Sequence, residues 1–135
     1  MSFLLDTNFI IGLLRGVEAY WDYLEELLER VLPSISTITR AEVYAGCHPE
    51  ERRETTTVLN CFEVLPVGVE IADLAGQYVY QFARQGITLH LEDALIGATA
   101  VSQGMVLVTR NIDHFPMLTQ RKNLIQFPGK QLCQR

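Results

Sequence analysis

Asp6, Glu42 and Asp93 are the carboxylates whose positions could do chemistry, because each falls where an extended or loop segment hands over to a helix. Brought together at one sheet edge, three acids would repel one another, and a hard divalent cation with oxygen ligands would relieve that repulsion. Mg2+, with Mn2+ able to substitute, suits such a set better than Zn2+, since no His or Cys cluster accompanies the acids. Each acid also has an ordinary reading. Asp6 is a potential helix N-cap. Glu42 stands three residues after Thr39, the spacing of a capping box. Glu92 and Asp93 fall in a first helical turn, where the dipole favours acids. Asp93 has the least ordinary setting, at the start of a helix of small and apolar residues whose Gly97 and Ala100 face it shares. A charge entering such an interior must be paired, protonated or bound to a cation.

The elements that would position these acids alternate along the chain. Phe3-Leu4-Leu5 reads as a buried strand stopping at Asp6, followed by a helix through Phe9-Ile10-Ile11-Gly12-Leu13-Leu14. Val17, Tyr20, Trp21, Leu24, Leu27, Leu28 and Val31 recur at helical spacing with acids between them, so a second, amphipathic helix follows and ends by Pro33. Ser34-Ile35-Ser36 reads as a strand, Thr39 opens a helix through about Cys47, and a polar helix spans about Glu50 to Asn60. A strand at Phe62–Pro66 precedes a long helix from Val69 to about Gln85, with Gly86 as its stop. Leu91–Gln103 reads as a central helix closed by Gly104, Met105–Val108 as an apolar strand, and Leu124–Phe127 as a last one. Strands separated by helices imply an α/β fold of three layers, α/β/α, with a mostly parallel central sheet. Ligands of such sheets bind beyond the carboxyl ends of the strands, where Asp6 and Thr109 both fall.

At 135 residues the chain is expected to form a single domain spanning 1–135. No apolar run is long enough for a membrane span and no basic flank marks a signal peptide, so a cytoplasmic protein is expected. Cys47, Cys61 and Cys133 lack the spacing of a thiolate metal site or a disulfide framework. The net charge of −5 argues against a broad electrostatic grip on nucleic acid. Its distribution weakens that objection. From Arg110 onward, Arg110, Arg121, Lys122, Lys130 and Arg135 face only Asp113, a tail of net +4 on a body of −9.

Four local strings, Leu4-Leu5-Asp6-Thr7-Asn8, Arg40-Ala41-Glu42-Val43-Tyr44-Ala45-Gly46, Asp93-Ala94-Leu95-Ile96-Gly97-Ala98-Thr99-Ala100 and Thr109-Arg110-Asn111, closely resemble in order and spacing the signature segments of PIN-domain ribonucleases of the VapC toxin type. The resemblance implies a Mg2+-dependent endoribonuclease, the toxin of a type II toxin–antitoxin pair, with Asp6, Glu42 and Asp93 at the metal site. It also implies an RNA substrate, a cognate antitoxin bound near the Tyr20, Trp21 and Tyr23 helix, and a homodimer. Thr7, Thr109 and Asn111 are candidates to contact substrate or to orient water or a ligating carboxylate, and Thr7 and Thr109 are equally plausible caps. Arg110 is a candidate phosphate contact, and the role of His90 is open. One position departs from the pattern T-x-N-x-x-D-F, because this chain reads Thr109-Arg110-Asn111-Ile112-Asp113-His114-Phe115, with His114 where the acid usually stands. Asp113, one residue early, is a candidate fourth metal ligand, Asn111 a neutral substitute, and His114 a phosphate-binding or proton-shuttling group, though a lone histidine here is more often packed or exposed.

Two other classes compete. A phosphoacceptor receiver domain also clusters acids around Mg2+ on a parallel sheet, but it wants an acceptor Asp ending the central strand, and the strand taken as central ends Leu65-Pro66-Val67 without one. A catalytically silent RNA-binding module would want an aromatic-basic stacking surface that the sequence lacks.

Overall fold

The strands at Phe3–Leu5 and Val106–Thr109 are apolar on both faces and require cover on both, which six helices among the described residues supply. The computed structural model describes residues 1–129, which run β1 (Phe3–Leu5), α1 (Thr7–Leu14), α2 (Glu18–Leu28), β2 (Ser34–Ser36), α3 (Thr37–Ala45), a 3-10 turn (Pro49–Glu51), α4 (Arg52–Leu59), β3 (Glu63–Leu65), α5 (Val69–Ala83), α6 (Leu91–Gln103), β4 (Val106–Thr109), a second 3-10 turn (Ile112–His114) and β5 (Leu124–Gln126). The strands form one sheet in the order β3-β2-β1-β4-β5, and every pairing is parallel. Lys130, Cys133 and Arg135 lie outside the described residues.

Alternation along β1 and β4 sorts the core into layers. Phe3, Leu5, Val106 and Val108 pack with Phe9, Ile10 and Leu13 of α1, Tyr20, Leu24 and Leu27 of α2, and Leu59 of α4. Leu4 and Leu107 face the other way, onto Ile96 and Ala100 of α6 and onto Phe115 and Leu118. Ile71 and Ala75 of α5 then pack on Ala94 and Ala98 of α6, so α5 covers the sheet through α6. That is why α6 is apolar nearly all round and rich in small residues.

Element boundaries follow the local chemistry. α6 spans the expected Leu91–Gln103 and ends in Gly104 at φ 62°, a left-handed cap that a side chain would strain. α3 begins at Thr37, two residues before the expected Thr39, because β2 runs directly into it and Ser36 takes the cap: its hydroxyl accepts from Ile38 N at 3.0 Å. The strand order brings one correction. β3, taken as central, is at the edge, and β1, which leads into Asp6, is the middle strand.

The α1–α2 corner depends on a close approach. A Cβ on Gly12 would lie 2.5 Å from Tyr20 Cδ2. The Tyr20 ring is held edge-on by Phe9 at 5.0 Å and by Phe127 at 5.4 Å, so it has nowhere to retreat. Gly12→Ala is therefore expected to destabilise the fold by about 1–3 kcal/mol, read as a lower urea midpoint with unchanged m-value. An unaltered midpoint would show that the ring yields.

Candidate functional site

β1 and β4 lie side by side, but β1 leads to β2 on one side of the pair and β4 to β5 on the other. Where connections diverge in this way, a crevice opens at the carboxyl ends of the strands. Asp6 and Thr109 meet there. Asp6 N donates to Val108 O at 3.0 Å, and Thr109 Oγ1 donates to Asp6 Oδ2 at 2.6 Å. The other carboxylate oxygen, Oδ1, accepts from Thr7 N at 2.8 Å. Asp6 is thus the N-cap of α1 and, through its second oxygen, a tie to β4. With 4% of its surface exposed, its carboxyl is pushed above its ordinary range by burial, against opposition from the Thr109 and Thr7 hydrogen bonds and the charge of His114.

Thr7 joins Asp6 to the second acid. Its hydroxyl donates to Glu42 Oε1 at 2.7 Å and stands 3.0 Å from Thr39 Oγ1. A hydroxyl has one proton, so with Thr7 donating to Glu42, Thr39 must donate to Thr7. The order Thr39, Thr7, Glu42 is a one-way chain of donors. It also corrects the ordinary reading of Glu42: Thr39 is a fully buried residue inside α3 and not its cap, so no capping box forms with Glu42. Burial raises the Glu42 carboxyl, the Thr7 bond opposes that, and the charges of Asp6 and Glu92 add to it.

Asp93 enters from the first turn of α6 with 18% of its side chain exposed, and His114 Nδ1 lies 3.6 Å from its Oδ2. Burial pushes its carboxyl up from 3.8 to about 6; His114 opposes the rise, and Asp6, Glu92 and Glu42 contribute to it. The acids are therefore close enough for their charges to act on one another. They adjoin without converging: among the described residues, no three Asp, Glu, His or Cys side chains are placed so as to hold one ion. Glu42 is turned to Thr7 and Asp93 to His114. The donor set nevertheless suits a hard cation, since all three acids supply oxygens whose proton affinity is raised by burial.

The remaining candidates divide by exposure. Thr109 has no exposed surface and Thr7 has 7%, so both act on the carboxylates beside them and not as an open surface for a substrate. Asn111 is half-buried, and its backbone N donates to Thr109 Oγ1 at 3.0 Å. Arg110, the residue after Thr109 at the end of β4, is exposed. Asp113 is exposed on the 3-10 turn after β4, and it is His114 from that turn, not Asp113, that reaches Asp93. His90 is the exposed N-cap position of α6 without a side-chain cap bond. Glu92, read from the sequence only as a first-turn acid, also adds its charge to Glu42 and Asp93. Its only signal was its place beside Asp93 in the same first turn.

The raised Asp93 carboxyl carries a consequence for stability. Between about pH 4 and pH 6 the folded chain holds a proton that the unfolded chain has released, so the stability from this group is present at low pH and lost as pH rises through about 6. Asp6 and Glu42 act in the same direction. Without divalent cation, the melting temperature is expected to fall between about pH 5 and pH 7.5, and added cation is expected to restore it at the higher pH, because ligand carboxylates must be deprotonated. Scanning calorimetry at the two pH values, with and without cation, reads both effects. A cation-independent melting temperature at pH 7.5 would contradict the expectation.

Comparison with known proteins identifies the family. The PIN domain family model matches residues 3–117. Ribonuclease VapC10 of Mycobacterium tuberculosis is 37% identical over 126 residues, covering 93% of this chain and 95% of that protein. Among solved structures, a toxin-antitoxin complex from Klebsiella pneumoniae superposes with TM-score 0.77 at 28% identity, over 93% of this chain and 97% of that one. VapBC2 from Rickettsia felis, bound to a DNA fragment from its promoter, shares the fold with TM-score 0.78 at 23% identity, over 93% and 98%. The chain belongs to the PIN-domain family and, within it, to the VapC type. The receiver reading is thereby set aside, and the strand order agrees, since receiver sheets run 2-1-3-4-5.

Proposed function

We propose that this protein is a divalent-cation-dependent endoribonuclease, the toxin of a toxin–antitoxin pair, built as one domain over residues 1–135, cutting RNA at the crevice beyond β1 and β4. The observation that carries the reading is the linkage of Asp6 to both Thr109 and Thr7, with Thr7 continuing to Glu42, at the sheet's switch point. Asp6, Glu42 and Asp93 would hold the cation, Mg2+ or Mn2+, once the Glu42 and Asp93 carboxylates, turned to Thr7 and His114, move inward. When bound, such a cation supplies polarisation of a phosphodiester and activation of water for its hydrolysis. Thr109 and Thr7 fix the carboxylate of Asp6. Arg110 and Asn111, directly after Thr109, border the crevice where an RNA phosphate would lie. An antitoxin partner is supported by the toxin-antitoxin complex among the similar structures. Val17, Trp21 and Leu28, which leave apolar surface exposed on and beside α2, offer part of a face for it. We read the active protein as a cytoplasmic homodimer. None of the helices among the described residues is long and apolar enough to cross a membrane.

The test uses protein purified free of antitoxin. RNA cleavage is expected in Mg2+ or Mn2+ and is expected to stop on chelation with EDTA. Cleavage that persists in EDTA would overturn the metal assignment, and RNA bound but left intact in both cations would identify a silent binding module.

A further inference from the structure

The acid cluster contains one nitrogen donor. His114 stands in it by construction: the 3-10 turn that carries it is closed by His114 N donating to Asn111 O at 3.0 Å and Phe115 N to Ile112 O at 3.1 Å. Phe115, 1% exposed, and Leu118, 7% exposed, anchor the chain that follows in the core under α6. The imidazole is therefore delivered to Asp93 by a packed turn and not by a free loop.

The contact itself is specific in kind. Nδ1 at 3.6 Å from Asp93 Oδ2 is too far for a good hydrogen bond, yet it is close enough to count as an ion pair should the ring be protonated. With 54% of the His114 side chain exposed, the ring borders the open crevice. The ring is also near enough to Asp6 to influence that carboxyl. The other two histidines are placed elsewhere, His48 capping the 3-10 turn before α4 and His90 at the exposed start of α6.

We infer that His114 supplies a nitrogen donor to the cation held beside Asp93, so that this centre favours the borderline ion Co2+ over the hard ion Mg2+ through that ring. The inference rests on the metal-dependent reading proposed above. Mg2+ binds through oxygen ligands and retained waters, and its affinity depends mainly on the negative charge around it. Imidazole adds no negative charge and favours borderline later transition ions over hard ones. An imidazole among carboxylates therefore contributes little to Mg2+ and more to its competitors.

Binding to the full chain, freed of any partner protein, is measured directly: Co2+ by its visible absorption and by the paramagnetically shifted imidazole protons in NMR spectra, Mn2+ by paramagnetic resonance, and Mg2+ by competition. The expected result is tighter Co2+ than Mg2+ binding, with a shifted ring-proton signal that disappears in His114→Asn. That variant should weaken Co2+ by roughly tenfold and Mg2+ by less than about twofold, whereas His114→Asp should strengthen Mg2+ several-fold. An unchanged Co2+ to Mg2+ ratio in both variants, or no shifted imidazole signal in the native protein, would overturn the inference while leaving the metal-dependent reading intact. Failure of the native protein to bind any of the three ions would overturn both. The native NMR signal decides the matter even if a variant does not fold.

Discussion

Asp93→Asn is expected to lower cation-dependent RNA cleavage by at least about 10²–10³-fold while raising the melting temperature at neutral pH. The substitution keeps the shape of the side chain and removes its charge. Burial is the largest influence on this carboxyl, and it disfavours the charged form, as do Asp6, Glu92 and Glu42; only His114 acts the other way. Without a cation, the neutral amide relieves more repulsion and desolvation than it loses in attraction to His114. At about pH 5, where the native carboxyl with its pKa near 6 is already mostly protonated, the gain in stability should shrink toward zero. Activity and stability thus move in opposite directions, a signature that general misfolding cannot produce. A variant that cleaves RNA at the native rate would remove Asp93 from the centre.

Thr109→Val is the second large effect. Valine matches threonine in shape but cannot donate to Asp6 Oδ2, the 2.6 Å bond that ties β4 to the end of β1. Because Asp6 is 4% exposed, water cannot simply replace that donor. Leaving a buried carboxylate oxygen without its partner costs about 1–3 kcal/mol, and loosening a ligand's support lowers metal affinity or activity by roughly 10–100-fold. The change also removes the acceptor for Asn111 N, so the Arg110-Asn111 segment should lose order with it. Thr109→Ser keeps the hydroxyl and should recover most of the activity. Native cleavage by the valine variant would show that Thr7 N alone is enough to hold Asp6.

The layered α/β/α architecture was legible because its signals are local. The apolar runs of β1 and β4, the amphipathic stripe of α2 and the small residues of α6 each state their own burial. Strand order was not, since pairing is decided by contacts distant in sequence, and the edge strand β3 is no less regular in sequence than the central β1. For the site, the acids could be named from their places at element ends, but their partners could not. The Thr39 and Glu42 spacing mimics a capping box, and only the Ser36 cap shows that Thr39 belongs to the Thr7 chain instead. His114 was visible as a departure from the family pattern; that it meets Asp93 depends on the packing of Phe115 and Leu118.

The bond between Thr109 and Asp6 joins residues 103 positions apart. During synthesis Asp6 is made 103 residues before the strand residue that orients it. α6, with Asp93, is likewise a late arrival. A growing chain therefore carries Asp6 and Glu42 exposed and unassembled until Asp93 and Thr109 have both been made, so the centre forms only after synthesis has passed β4.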